Sequence, residues 1–127
     1  MTATLVLDTS AAVAYMRQSL AMGELLAVVD EDDDTVILPA TCLAEAAAQA
    51  DDAETALLRV LAALPGVAVT PLAPDTAIEV GRLTRRRAGL DLAHAVVEAV
   101  GHDAQLASAE AAAARKVLPP GWGIIEV

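Results

Sequence analysis

The stretch "ATLVLDTSAAVAYM", residues 3–16, places a carboxylate, Asp8, directly after an apolar segment rich in β-branched and aliphatic side chains. The apolar segment has the pattern of a buried strand, and Thr9 or Ser10 can cap the helix that is predicted to run to about Arg17. A strand that leads directly into a helix is the first unit of an α/β fold.

The rest of the chain repeats this alternation of strand and helix. The predicted strands are residues 4–7, 36–38, 67–69, 105–107 and 123–127. The predicted helices are residues 9–17, 24–29, 51–64, 74–87 and 110–115, one helix with Thr41, Cys42 and Glu45, and one with Asp91, His94, Val97 and Val100. An acidic loop is predicted over 30–35. The alternation predicts an α/β fold with a mainly parallel sheet covered on both faces, and the length suits a single domain, residues 1–127.

Composition and cysteine content indicate a cytoplasmic protein. The chain is 56% hydrophobic with a mean hydropathy of +0.51, but charges interrupt every apolar run before the ~18 residues that a membrane span needs. Asp8 interrupts the first apolar segment, so no secretory signal is predicted. The single cysteine, Cys42, cannot form an internal disulfide or a C-x-x-C site, and we interpret it as a small core residue of a protein in a reducing compartment.

The charge and the aromatic content exclude some classes of nucleic-acid-binding protein. A formal charge of −10 argues against binding through a generally basic surface. Tyr15 and Trp122 are the only aromatic rings, too few for the stacking platforms of OB-fold or RRM proteins. An acidic site that reaches phosphate through a metal ion remains compatible with both observations.

Four acidic residues lie near the ends of successive predicted elements: Asp8, Glu45, Asp91 and Glu110. Each alone could stabilise a helix N-terminus or lie on a solvated surface. Because ligands of parallel sheets gather at the carboxyl ends of the strands, the four together predict an oxygen-ligand site for Mg²⁺ or Mn²⁺. Two such ions can stabilise the attacking and leaving oxygens in phosphodiester hydrolysis.

Several segments resemble the PIN domain family, especially the toxin ribonucleases of VapBC toxin–antitoxin modules. "LVLDTSAAVAYM" resembles the opening strand, acid and helix, and "ILPATCLAEAA" resembles the second strand and its Glu-bearing helix. "VAVTPLAPDTAIEVGRL" and "GLDLAHAVVEAVGHDAQLASAE" resemble the middle and last segments. The resemblance implies an α/β/α sandwich, a Mg²⁺- or Mn²⁺-dependent endoribonuclease acting on RNA, a homodimer, and a cognate antitoxin protein as partner.

The resemblance also assigns site residues. Asp8 matches the first acid of the family and Glu45 the second. His94 lies at the acid of the common L-S-L-x-D-A pattern, with Asp91 one turn earlier, and Ser108-Ala109-Glu110 replaces the usual Thr-x-Asp. The predicted catalytic residues are Asp8, Glu45, Asp91, Glu110, His94 and Ser108, and the four acids are the predicted metal ligands. Within this set Asp91 is the predicted third acid and His94 is predicted to orient a water or a phosphate, because hard cations prefer carboxylate oxygen.

Parts of the sequence are also shared with three other kinds of protein. A degenerate PIN domain that binds RNA or protein without cutting is the alternative, because the third and fourth acid motifs are altered. Haloacid-dehalogenase phosphatases need D-x-D where this chain has Asp8-Thr9-Ser10, and response-regulator receivers need an Asp ending the third strand, which "VAVTPL" lacks.

Three further features have simpler interpretations. The acidic run 30–34 lacks the Gly and terminal Glu of an EF-hand loop, so we interpret it as a solvated connection. The arginines 85–87 complement a helix C-terminus or hold RNA phosphates. His102 is interpreted as a surface residue at a helix end.

Overall fold

The computed structural model describes residues 3–86 and 88–127. The strands are β1 (Ala3–Leu7), β2 (Thr35–Pro39), β3 (Val67–Thr70), β4 (Gln105–Ser108) and β5 (Ile124–Glu126). The helices are α1 (Thr9–Met16), α2 (Leu20–Glu31), α3 (Ala40–Ala48), α4 (Asp52–Ala63), α5 (Pro74–Thr84), α6 (Leu90–His102) and α7 (Ala111–Arg115). The alternation of strand and helix predicted from the sequence is therefore confirmed.

Three predicted details are wrong or untested. The cap of α1 is Asp8 rather than Thr9 or Ser10, because the Asp8 side chain accepts a hydrogen bond from the backbone N–H of Ala11. The predicted acidic loop is shorter than expected: its first two residues end α2, and Thr35 already begins β2. Helix α5 ends at Thr84, whereas the prediction extended it to Arg87, which lies outside the described residues.

All strand pairings in the described chain are parallel, and the strand order is β3-β2-β1-β4-β5. The predicted α/β fold with a mainly parallel sheet is therefore confirmed. Consecutive residues are buried in β1 (Leu5–Leu7) and throughout β2. Because neighbouring strand residues point to opposite faces, this burial shows that helices cover both faces of the sheet.

The core is built mainly from these central strands and from the helices packed on them. Leu7, Leu38 and Leu106 are completely buried and belong to one hydrophobic cluster. Helix α6 packs against β1, β2 and β4, and also against α3 and α5. In the ranges that the structure describes, no helix has the length and apolar character of a membrane span.

The strand order places a topological switch point between β1 and β4. The chain adds β2 and β3 on one side of β1 and then crosses to add β4 and β5 on the other. In doubly wound sheets the crevice that binds ligands lies outside the carboxyl ends of the strands at such a point. Asp8 follows β1, and Glu110 follows β4 by two residues, so both lie at this crevice.

Candidate active site

A small acidic cavity of about 50 Å³ lies at the switch point. Its lining includes the carboxylate residues Asp8, Asp91 and Glu110 and the hydroxyl residues Thr9 and Ser10. The residues that line it include no basic side chain. The fold therefore brings together three of the four acids predicted from the sequence.

Asp8 is fixed by the first turn of α1. Its Oδ1 accepts hydrogen bonds from the hydroxyl of Ser10 at 2.6 Å and from the backbone N–H of Ala11 at 2.9 Å. The residue is only 4% exposed. A buried carboxylate is costly unless it is hydrogen-bonded, and the positive end of the α1 dipole lowers that cost. Both contacts use Oδ1, so the second carboxylate oxygen carries no hydrogen bond from another described residue.

Asp91 enters the cavity from the first turn of α6. The Thr9 hydroxyl donates to its Oδ2 at 2.5 Å, and the Cys42 thiol donates to its backbone oxygen at 3.2 Å. A Cβ atom placed on Gly89 would lie 2.8 Å from Asp91 Oδ1. Contacts from α1 and α3 therefore hold Asp91 in position, and the absence of a side chain at Gly89 leaves room for its carboxylate.

Glu110 forms the third side of the cavity, and Ser108 lies behind it, outside the lining. Ser108 is completely buried at the end of β4, and its Oγ accepts the backbone N–H of Glu110 at 2.9 Å. Ser10 Oγ lies 3.3 Å from Ser108 Oγ and accepts the backbone N–H of Ala109 at 2.9 Å. Ser108 thus contacts the loop that carries Glu110, and its hydroxyl is used for structure.

Glu45 lies apart from the other three acids. It is exposed on α3 and lines neither the acidic cavity nor the wider cleft beside it. Within residues 3–86 and 88–127, no group of three or more His, Cys, Asp or Glu side chains is close enough together to hold a metal ion. The four acids predicted as ligands are therefore not assembled as one set.

His94 lies in the protein interior, one turn after Asp91. Its ring is completely buried and lines neither the acidic cavity nor the cleft. Nδ1 lies 2.8 Å from the Thr41 hydroxyl, and Nε2 lies 3.5 Å from Glu98 Oε1 without hydrogen-bond geometry. Burial lowers the pKa of His94, against the nearby Glu98 carboxylate, which raises it. The Thr41 contact joins α6 to α3, and the enclosed ring lies apart from the lining of the acidic cavity.

The acidic cavity opens beside a wider cleft, whose lining includes residues that the sequence patterns did not single out. A polar cleft of about 410 Å³ shares Thr9, Ser10, Asp91 and Glu110 with the acidic cavity and extends to Arg17 and Gln49. Arg17 follows Thr9 by two turns of α1, a spacing that would have placed both on one side of the helix. The hydroxyls of Thr9 and Ser10 were also missed as partners of the acids, since they were interpreted as caps.

Arg85 and Arg86, just after the end of α5, lie away from the acidic cavity. Arg85 is the C-cap of α5, as the simpler interpretation predicted. Arg86 lines a separate, mainly apolar groove with Leu83, Val96 and Val100. Neither residue lines the acidic cavity or the cleft.

The donor set of the cavity fits a hard divalent cation. Carboxylate and hydroxyl oxygens are the ligands that Mg²⁺ and Mn²⁺ prefer, and these ions keep several of their waters when bound. A cavity of about 50 Å³ has room for a few waters. Asp8, Asp91 and Glu110 supply carboxylate oxygens of this kind, and no basic side chain of the lining competes for them. They would have to move closer together to hold an ion, because they are not grouped as a metal site as they stand.

Cys42 is unsuited to chemistry in this site. It is completely buried, and burial raises the pKa of its thiol to about 12, with the nearby carboxylates of Asp91 and Asp8 adding to the shift. The thiolate is the reactive form of cysteine. Cys42 therefore acts as a small core residue, as the sequence predicted.

Comparison with known proteins agrees with the fold. No curated protein sequence is significantly similar. Over 98% of both chains, the fold matches a chain of the crystal structure of VapBC2 from Rickettsia felis bound to a DNA fragment from their promoter, with a TM-score of 0.74 and 12% identity. It also matches a chain of the structure of FitAB bound to an IR36 DNA fragment, over 97% of this chain and 94% of that one, with a TM-score of 0.63 and 11% identity. The PIN domain family matches residues 5–119 of the sequence, and the chain therefore belongs to the PIN domain family.

Proposed function

We propose that this PIN domain is a metal-dependent endoribonuclease of the VapC toxin type. The observation that carries the proposal is the cavity at the switch point, where Asp8, Asp91 and Glu110 converge without a basic neighbour in the lining. Membership of the PIN family supports it, since members of this family are generally metal-dependent nucleases.

The chain's own residues would bind and orient the reactants. Asp8 and Asp91 are held by Ser10 and Thr9, so their carboxylates are preorganised before substrate arrives. A bound Mg²⁺ or Mn²⁺ would supply the positive charge that stabilises the phosphate and would activate a water. Glu110 is exposed, and its longer side chain would be the carboxylate that adjusts to the substrate.

Glu45 has a different place in this proposal. It is exposed, and no other described residue holds its carboxylate in a hydrogen bond or an ion pair. We infer that it turns toward the cleft when metal and RNA are bound. His94 has a supporting role, because it joins the helix of Asp91 to the helix of Glu45 through Thr41.

The test is metal binding followed by cleavage of single-stranded RNA. Calorimetry with Mn²⁺ should show loss of binding in Asp8→Asn and in Asp91→Asn, with Asp75→Asn, an exposed acid on α5, as the matched control. A metal that binds only the folded chain stabilises it by about 2.7 kcal/mol at a hundredfold excess over Kd, so thermal melts should move upward. Cleavage should require Mn²⁺ or Mg²⁺ and stop in EDTA.

The altered arrangement of the acids supports a second candidate function, binding without cleavage. The described acids are not grouped closely enough to form a metal site as they stand. Oδ2 of Asp91 already accepts a hydrogen bond from the Thr9 hydroxyl. A PIN domain that binds RNA or a protein partner without cutting would show no Mn²⁺ binding and no cleavage. Cleavage that persists in EDTA or in Asp8→Asn would indicate a contaminating nuclease and would favour this second function.

We also propose two protein partners. VapBC2 and FitAB, to whose chains the fold is similar, were each solved bound to a DNA fragment. By the resemblance to the toxins of VapBC toxin–antitoxin modules, the chain would form a homodimer and would be inhibited by a cognate antitoxin. Light scattering of the purified protein tests the dimer. Co-expression with a small protein from the adjacent reading frame tests the antitoxin, which should co-purify and suppress cleavage.

A further inference from the structure

Arg17 lies at the far end of the polar cleft from the acids. The cleft follows one side of α1, from Thr9 and Ser10 at its start to Arg17 just after its end. A helix rises ~1.5 Å per residue, so Arg17 is about 12 Å from Thr9 along the helix axis. Gln49, at the end of α3, lines the same cleft. A polymer that reaches the acids through this cleft therefore passes Arg17.

The charge of Arg17 is unusual in its surroundings. The protein carries a formal charge of −10, and the other ionisable residues that line the cleft are the acids Asp91 and Glu110. A fixed positive charge there lowers the repulsion that an acidic protein exerts on a polyanion. Arginine also matches phosphate oxygens with two parallel N–H donors.

A weak ion pair holds Arg17 in the structure. Its Nε lies 3.4 Å from Glu54 Oε2, and the Arg17 side chain is 57% exposed. Exposed ion pairs of this kind contribute little to stability. The contact uses Nε, so both terminal nitrogens of the guanidinium keep donors for another anion. The other oxygen of Glu54 accepts the backbone N–H of Asp51 in the capping box of α4, which fixes Glu54 whether or not Arg17 is beside it.

We propose that Arg17 is a substrate-binding residue that holds a backbone phosphate of single-stranded RNA, about two helical turns from the acids. In the absence of RNA, Arg17 forms its ion pair with Glu54, and the phosphate must compete with this carboxylate for the guanidinium. The substrate class rests on the ribonuclease function proposed above. The binding step itself does not require cleavage, so the two proposals can fail separately.

The experiment measures binding of a fluorescein-labelled single-stranded RNA by anisotropy, in EDTA and in Mn²⁺, at several salt concentrations. RNA integrity is checked on a denaturing gel after each titration. Arg17→Ala and Arg17→Gln should weaken binding about tenfold and reduce the salt dependence of log K by about 0.7, the share of one single-strand phosphate. Glu54→Gln should tighten binding, because glutamine can keep the capping box but loses the competing charge.

Arg82→Ala is the matched control. Arg82 also forms an exposed ion pair, with Glu79 at 3.7 Å, but it does not line the cleft. It should leave affinity and salt dependence unchanged. The proposal is overturned if Arg17→Ala behaves as Arg82→Ala does, if Glu54→Gln weakens binding, or if the wild-type protein binds no RNA. If the wild type binds RNA through Arg17 but cuts none, the ribonuclease function fails and the role of Arg17 stands.

Discussion

The hydroxyl of Thr9 donates a hydrogen bond to Oδ2 of Asp91 over 2.5 Å, across 82 positions of sequence. It joins the first turn of α1 to the first turn of α6. Because Thr9 follows Asp8 directly, the bond also fixes the position of one acid of the cavity relative to the other. A residue interpreted from sequence as a helix cap is thus a partner of the candidate metal ligands.

Replacing Thr9 by valine should loosen Asp91 without changing the shape of the side chain. Loss of a hydrogen bond to a metal ligand commonly costs about tenfold or more in metal affinity. We expect the Mn²⁺ Kd of Thr9→Val to rise about tenfold in calorimetry, and that of Thr55→Val, a helical threonine on α4 outside the cavity, to stay constant. An unchanged Kd in Thr9→Val would mean that the hydrogen bond from Thr9 does not orient Asp91 for metal binding.

Gly89→Ala should damage the site more than the fold. The new Cβ would lie 2.8 Å from Asp91 Oδ1, so the carboxylate must move. Gly89 is the N-cap of α6 at an ordinary φ of −65°, so the loss in unfolding free energy should stay below ~1 kcal/mol. Mn²⁺ affinity should fall about tenfold.

Gly101→Ala is the control for this change. A Cβ at Gly101 meets nothing within 4 Å, and alanine is favoured over glycine inside a helix by roughly 0.5–1 kcal/mol. This variant should be slightly more stable and should bind metal normally. Equal metal affinity in both glycine variants would contradict the proposed role of Asp91.

His94 should make the protein less stable in mild acid. Burial lowers the pKa of His94 below its ordinary 6.5, so the unfolded chain takes up this proton at a higher pH than the folded chain. The contribution of neutral His94 to the free energy of unfolding is therefore fully present above about pH 6.5 and is lost as the pH falls below that value. Denaturant unfolding at about pH 7.5 and about pH 5.5 should show a smaller difference in His94→Gln than in the wild type. His102→Gln, which removes the exposed histidine beside Glu98, is the control.

Cys42 should be unreactive in the folded protein. With a thiol pKa of about 12, only about one thiol in ten thousand is ionised at about pH 8, and the side chain is completely buried. A disulfide reagent should react with Cys42 at the rate of unfolding and rapidly in denaturant. Rapid modification of the native protein would show that the α3–α6 contact opens.

The sequence by itself determined the strand-helix alternation, the central place of Asp8 and the family to which the chain belongs. These depend on local patterns: a short β-branched run, a carboxylate at its end, capping residues and punctuation by Pro and Gly. Such patterns act within a few residues, and for that reason they were readable before any tertiary contact was known. Element ends were less certain, as the end of α2 and the start of β2 show.

Only the tertiary structure decided which side chains meet. The strand order puts Asp8 and Glu110 at one crevice, and the rotation of α6 turns Asp91 into it and buries His94 against Thr41. Residues three apart on a helix differ in direction by only about 60°, so spacing could not assign one to the cavity and the other to the core. The exposure of Glu45 on α3 and the hydrogen bond from Thr9 to Asp91 could not be predicted from the sequence for the same reason. Their positions depend on packing between elements that are distant in sequence.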